Sequence, residues 1–200
     1  MNILLVLLDW FGGAIVSLPL VMLFLFVADK KRFAGKWFWA ALFALYMNAM
    51  LTIVGMPDFT CIVWDPSINF IPFHDFSLRN LLGMVLNIVM FIPFGAFLPI
   101  YFKRFRNVKT TVLTGFLMSL FIEILQLFTF RATDIDDLIM NTLGALAGYG
   151  IAKLIVRKSG NSESEDWDIP KLIVMILIVC VVIAFVRYPL VGYLFQVLNL

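Results

Sequence analysis

Seven polar side chains interrupt the apolar stretches of this chain and are its candidate functional residues: Asn87, Glu123, Gln126, Arg131, Asp134, Asp137 and Asn141. An ionised acid such as Glu123 costs about 2.5 to 3.5 kcal/mol to place in hydrocarbon on insertion scales, so it must be paired, hydrated or protonated. Such groups suit binding of the polar head of a ligand. They also suit catalysis, with Glu123 or Asp137 as general base and Arg131 holding a phosphate or carboxylate.

A structural role is the alternative for the same residues. Glu123 would then join helices by accepting hydrogen bonds from neighbouring side-chain amides, or by pairing with Arg131 or Arg79. His74, the only histidine, is interpreted as a polar anchor at the membrane surface, with a catalytic base as the alternative. The sequence contains no GxSxG, P-loop or zinc-binding spacing that would assign a known reaction.

The aspartates of the connection RATDIDD have two interpretations. Thr133 or Asp134 is expected to cap the helix that follows, and Asp136 to meet the positive end of its dipole. Alternatively, Asp134, Asp137 and Glu123 would form a calcium or magnesium site, since these ions prefer hard oxygen ligands. The spacing matches no established metal-binding loop, so the sequence predicts no metal and no cofactor.

The composition sets the class of protein that must position these groups. The 200 residues are 62% hydrophobic and 14% charged, with a mean hydropathy of +1.00. Apolar runs of roughly 20 residues recur, which is the length of a helix that crosses a bilayer. Only helices and closed barrels satisfy the backbone in lipid, and continuously apolar runs are not those of a barrel. The fold class predicted is an all-α polytopic transmembrane helical bundle.

The apolar runs predict about six spans, at residues 3–28, 37–55, 81–102, 111–130, 138–156 and 172–186. Twelve of the 15 lysines and arginines lie in alternate connections. Because cytoplasmic loops are enriched in these residues, both termini and the acidic 131–137 turn are predicted to be extracytoplasmic. We expect one membrane domain over residues 1–200, with a core at about 37–155, a polar cytoplasmic linker at 157–171 and an additional span at about 172–186.

The predicted spans place the polar groups in one layer of the membrane. A helix rises about 1.5 Å per residue, so Asn87 and Glu123 lie roughly 12 Å below the outer boundary. Gln126 and Asn141 lie roughly 7.5 and 6 Å below it. The sequence therefore predicts an outward-facing polar pocket on three helices, roofed by the aromatic, proline-broken loop 57–76.

Four motifs follow one another along the chain: INFIPF (68–73), NIVMFIPFGAFLP (87–99), SLFIEILQ (119–126) and RATDIDDLIMNTLGALAGY (131–149). In this order they resemble the VanZ-like family of small membrane proteins, over roughly residues 37–155. Thr133 stands where a larger apolar residue is expected, which leaves the charged positions intact. The resemblance implies a multi-pass protein of the bacterial plasma membrane that lowers susceptibility to teicoplanin-type glycopeptide antibiotics, and it implies no particular reaction.

The leading hypothesis for function is a cell-envelope protein that binds an amphiphile in the outward-facing pocket. The expected partners are membrane lipids and either a glycopeptide antibiotic or a lipid-linked wall precursor. The alternative is a membrane enzyme that modifies a lipid-linked substrate at the outer leaflet. Transport is less favoured, because paired broken helices are not evident. A net charge of +2, with basic residues confined to short loops, does not predict nucleic-acid binding, and the oligomeric state is left open.

Overall fold

The computed structural model describes residues 3–28, 33–57, 59, 62, 64, 67–74, 77–129, 133–158 and 169–198. Within these residues the helices are α1 (Ile3–Ala28), α2 (Phe33–Ile53), α3 (Leu78–Tyr101), α4 (Val108–Gln126), α5 (Ile135–Lys158), α6 (Ile169–Phe185) and α7 (Arg187–Leu198). A 3-10 helix, Lys103–Arg106, connects α3 to α4. Two short strands, β1 (Ile68–Asn69) and β2 (Thr133–Asp134), form the only sheet among the described residues. The predicted all-α fold is confirmed.

The helices vary in their capacity to cross a membrane. By length and composition, α3, α4 and the Ile135–Arg157 part of α5 are each long and apolar enough. Helices α6 and α7 are bent by 47° relative to each other and supply a fourth candidate span if they act together. The apolar segments found in α1 and α2, Gly12–Ala28 and Trp37–Ile53, are shorter. The count of six spans and the side on which the termini lie stay predictions.

The chain divides into two compact units, Met1–Ile62 with Ile169–Leu200, and Val63–Asp168. In the first unit, the side-chain amide of buried Asn48 in α2 donates to the hydroxyl of Ser17 in α1. Helix α1 approaches this amide closely because residue 13 is glycine, where a Cβ would collide with the Asn48 Oδ1 atom. The amide N–H of Phe59 donates to the carbonyl of Ala184 in α6 at 3.1 Å.

The second unit contains the candidate functional residues and is built on α3 and α5. Gly144 and Gly148 of α5 face the backbone of α3, where a Cβ would collide with the carbonyl oxygens of Ile88 and Ile92. Small residues at these positions let the two helix backbones approach, as is common between membrane helices. The same register, with 144 beside 88 and 148 beside 92, shows that α3 and α5 run in the same direction.

Polar residues at the N-termini explain where the helices of the second unit begin. The Ser77 hydroxyl accepts from the amide of Asn80 at the start of α3. The Asn107 side chain accepts from the amide of Lys109 at the start of α4. Such residues satisfy amides that have no partner inside the helix and typically stabilise it by about 1 kcal/mol. The helix starts are thus encoded locally, within three residues of each cap.

Candidate functional site

The candidate site is centred on the first turn of α5, and we call residues Thr133–Asp137 the acidic head. The Asp134 carboxylate accepts the amide N–H of Asp136 at 2.9 Å, which is the hydrogen bond of a helix N-cap. The cap predicted from the sequence is therefore confirmed at Asp134. Asp136 and Asp137 occupy the first turn, where the positive end of the helix dipole favours negative charge.

Glu123 joins the end of α4 to the acidic head. Its carboxylate accepts the backbone N–H of Asp134 at 3.1 Å, and its backbone carbonyl accepts the Thr133 hydroxyl at 3.2 Å. Only 4% of Glu123 is exposed. A backbone amide is therefore one partner of this buried acid, whereas the structural interpretation of the sequence assigned it side-chain partners. Glu123 therefore attaches Thr133 and Asp134 to the end of α4 through both its side chain and its backbone.

Asn87 joins α3 to the acidic head. Its side-chain amide donates to the Asp137 carboxylate at 2.5 Å. A hydrogen bond to an ionised acceptor is among the stronger ones in proteins and orients the acceptor as well as stabilising it. Both residues are half-buried, so this pair lies at the edge of the protein interior.

Asn141 lies one turn further along α5 and connects it to α4. Its Nδ2 donates to the Ser119 hydroxyl at 2.9 Å, and both residues are buried. The Asn141 Oδ1 is buried and accepts no hydrogen bond from the residues that the structure describes. Gln126 is also buried, as the last residue of α4. Ser119 was not predicted as a site residue, although it belongs to the SLFIEILQ motif.

A loop from Ser67 to His74, which we call the anchored loop, is attached to the acidic head by backbone and side-chain hydrogen bonds. The Thr133 amide donates to the Ser67 carbonyl at 3.0 Å, and β1 pairs with β2 in parallel. Asn69 donates to both Asp134 carboxylate oxygens at 3.3 Å. The anchored loop and the acidic head thus form one structure.

The far part of the anchored loop is fixed by the Asp136 carboxylate, which was predicted only to meet the positive end of the helix dipole. The amide of Phe73 donates to the two Asp136 oxygens at 2.9 and 3.1 Å. Phe73 has a φ of 54°, a conformation that is uncommon for residues other than glycine. The hydrogen bonds to Asp136 compensate for that strain. Asn69 and Phe73 were missed as site residues, although both lie in the INFIPF motif.

Apolar side chains of the anchored loop remain outside the protein interior. Phe70 is 72% exposed and Ile71 is 65% exposed. Trp64, which precedes the loop, is also exposed, and its ring lies 5.2 Å from that of Phe128, just after α4. The acidic head is therefore bordered by a fixed, exposed apolar surface.

Not all predicted site residues can be placed. Arg131 lies outside the described residues. His74 and Arg79 are exposed, and neither side chain takes part in the hydrogen bonds of the acidic head given above. Among the described residues, no three His, Cys, Asp or Glu side chains are grouped as a metal site would require. The calcium or magnesium interpretation therefore has no support in this part of the chain.

The arrangement can accept further hydrogen bonds as well as support the helices. An ionised carboxylate has about four acceptor positions, and each of the four acids is held by one or more N–H donors. Donors on a ligand, such as N–H, O–H or ammonium groups, would be the complementary chemistry. A carboxylate oriented by an amide, as at Asp137, is also suited to act as a general base.

The fold and this polar cluster define an all-α membrane protein whose acidic residues join three apolar helices. The family model described as VanZ/LLP1 matches residues 43–156, more than half of the chain. The chain belongs to the VanZ/LLP1 family. The family recognised from the four motifs is thereby confirmed.

One curated relative illustrates the extent of the similarity. Protein VanZ of Enterococcus faecium is 37% identical over 90 residues, which cover 43% of this chain and 54% of the relative. The match thus spans about half the length of that relative. No solved structure matches this chain.

Proposed function

We propose that this protein acts in the bacterial plasma membrane and binds an amphiphile at the outer leaflet, lowering susceptibility to teicoplanin-type glycopeptides. The amphiphile is the lipoglycopeptide itself or a lipid-linked wall component. The observation that carries the proposal is the attachment of the exposed apolar loop to the acidic head, through Asn69 to Asp134 and Phe73 to Asp136. An amphiphile needs this combination of polar and apolar contacts in one place.

The polar side of the proposed site would recognise hydrogen-bond donors. The carboxylates of Asp134 and Asp137 are half-buried, so part of each remains accessible to a ligand. Sugar and peptide head groups of lipoglycopeptides and wall lipids are rich in O–H and N–H donors, which supports this class of ligand.

The apolar side would hold the acyl or prenyl chain. Phe70 and Ile71 are exposed on a loop whose backbone is fixed by hydrogen bonds. A fixed loop loses little conformational entropy on binding, so more of the contact energy appears as affinity. The relation to Protein VanZ, although it covers about half of that relative, supports a role in the cell envelope.

A membrane enzyme is the second candidate, and one observation favours it. Asn87 orients the Asp137 carboxylate at 2.5 Å while that acid remains half-buried. An oriented carboxylate beside a site for an amphiphile could remove a proton from a lipid-linked substrate. Incubating purified protein with a labelled wall lipid separates the candidates, because an enzyme changes the mass of the lipid and a binding protein retains it unchanged.

The test of the proposed function compares carboxylate variants with a matched control. Glu123→Gln and Asp137→Asn remove charge with little change of volume, whereas Arg79→Gln removes an exposed charge outside the acidic head. Asp137→Asn changes an accessible acceptor, and Glu123→Gln weakens the hydrogen bond that positions the Asp134 amide. Loss of one hydrogen bond to a charged group, worth about 1.5–3 kcal/mol, would weaken ligand binding roughly tenfold or more. Teicoplanin susceptibility in a sensitive host and binding of labelled teicoplanin or wall lipid in nanodiscs are the measurements.

We expect both carboxylate variants to lose protection and binding at unchanged membrane abundance, and Arg79→Gln to keep both. A Phe70→Ser variant of the anchored loop should also lose binding. Full protection by Glu123→Gln and Asp137→Asn at normal abundance would refute the proposal and leave the acidic head as a structural joint between helices.

A further inference from the structure

Exposed cations at the end of α5 opposite the acidic head, on the 3-10 helix and at the start of α4 are not used by the proposed function. They are Lys103, Arg104, Lys109, Lys153 and Arg157, and we call them the basic end. Sixteen residues separate Asp137 from Lys153, which is about 24 Å along a helix. This is close to the thickness of the hydrocarbon core, about 30 Å. The basic end therefore lies at the level of the other leaflet.

The backbone of the turn that carries part of the basic end is fixed. In the 3-10 helix Lys103–Arg106, the Thr111 hydroxyl donates to the Phe105 carbonyl at 2.6 Å and the Tyr149 hydroxyl donates to the Arg106 carbonyl at 2.9 Å. Phe105 is buried and packs edge-on against Phe102 at 5.7 Å. These contacts hold the turn on α4 and α5.

The hydrogen bond from Tyr149 to the Arg106 carbonyl brings the cations of α5 close to this turn. Tyr149, Lys153 and Arg157 are spaced four residues apart, so they follow one another along neighbouring positions of the helix surface. Because Tyr149 reaches the carbonyl of Arg106, Lys153 lies one turn beyond that contact. Residues 78–122 and 138–158 contain no aspartate or glutamate, so α3, most of α4 and this part of α5 bring no negative charge of their own.

Exposed apolar side chains continue from the basic end into the membrane-spanning surface. Leu154 is 63% exposed, directly after Lys153, and Ile151 and Leu113 are also exposed. Cations next to an apolar helix surface match the head and tail of a phospholipid. Basic groups between transmembrane helices are known binding sites for anionic lipid head groups.

We propose that the basic end binds the phosphate head group of an anionic phospholipid, with an acyl chain along the exposed side chains of α4 and α5. The lipid would bind across the 3-10 helix and the end of α5 and stabilise their contact. This site is independent of the proposed amphiphile site, because it lies at the other end of α5 and uses none of the same residues.

The test measures binding of phosphatidylglycerol and phosphatidylcholine to the purified full chain by native mass spectrometry. Arg104→Gln and Lys153→Gln each remove one cation of the basic end, and Arg79→Gln removes an exposed cation at the start of α3 as the control. One basic residue near a lipid surface contributes about a fivefold change in affinity. Each of the first two variants should thus bind phosphatidylglycerol about fivefold more weakly, with phosphatidylcholine binding unchanged.

Three further measurements make the result specific. Arg104→Lys keeps the charge and should keep binding, and Tyr149→Phe, which removes the hydrogen bond to Arg106, should weaken it with the charge unchanged. The proposal is wrong if the protein binds phosphatidylglycerol no more tightly than phosphatidylcholine. It is also wrong if Arg79→Gln weakens phosphatidylglycerol binding as much as Arg104→Gln does. It is also wrong if millimolar inorganic phosphate displaces the lipid, since the ligand would then be the free anion.

Discussion

Replacement of Gly144 by alanine tests whether the close approach of α3 and α5 assembles the site. A Cβ at Gly144 would lie 2.8 Å from the Cβ of Phe91 and would collide with the carbonyl oxygen of Ile88. The Ile88 carbonyl belongs to the backbone and cannot rotate away as a side chain would, so α3 itself must move. Overpacking of this kind costs about 1–3 kcal/mol, which lowers the folded-to-unfolded ratio roughly five- to 150-fold.

Gly150 is a matched control on the same helix, because a Cβ there meets nothing within 4 Å. Gly150→Ala should increase the free energy of unfolding by about 0.5–1 kcal/mol, since alanine favours a helix over glycine. The two variants are thus expected to shift stability in opposite directions. The measurement is the free energy of reversible unfolding in detergent micelles or bicelles, determined by steric trapping or by chemical denaturation.

Gly144→Ala should also alter the geometry of the candidate site. Ile88 follows Asn87 directly, so a displacement of α3 at Ile88 should lengthen the hydrogen bond from Asn87 to Asp137. Ligand binding should therefore weaken in Gly144→Ala and remain normal in Gly150→Ala. Equal stability of both variants, or a Gly144→Ala protein with unaltered binding, would refute the reasoning that this helix contact positions the acidic head.

Two further predictions concern individual hydrogen bonds. A double-mutant cycle of Asn87→Ala and Asp137→Ala should give a coupling free energy of about 1–3 kcal/mol in the unfolding assay, because the bond has an ionised acceptor, and additive effects would contradict the contact. In Asp136→Ala, the amide of Phe73 loses both of its acceptors. Its hydrogen exchange should accelerate while amides in the middle of α3 stay protected, and an unchanged rate at Phe73 would show that the anchored loop is held by other contacts.

Much of the architecture of the second unit was predictable because its causes are local. Long apolar runs predicted α3, α4 and α5, and the run of acids after Thr133 predicted a capped helix start, which Asp134 supplies. The fourth helix, however, ends at Gln126 and not at residue 130. Hydropathy continues past that point, so the end depends on the connection to the acidic head rather than on composition.

The partners of the polar residues were less predictable. Glu123, Asn87 and Asn141 were placed in one layer from helix rise alone, yet each bonds to a different group. Their partners are a backbone amide, a carboxylate and a hydroxyl. Helix rise also put Asn87 too deep below the acidic turn, because its amide contacts the Asp137 carboxylate. The rotation of a helix about its axis determines which neighbour a residue faces, and that rotation is set by packing.

The sequence by itself determined the class of protein, its family and the residues that break the apolar pattern, because hydrophobicity, caps and motifs are properties of neighbouring residues. The sequence predicted that the loop 57–76 covers the polar groups, but only the tertiary structure decided which groups attach residues 67–74 to the acidic head, such as the Phe73 amide and the Asp136 carboxylate. Helices α3 and α5, which follow these two segments along the chain, pack against each other at Gly144 and Gly148. Such packing is a property of two helices together, which neither segment encodes alone.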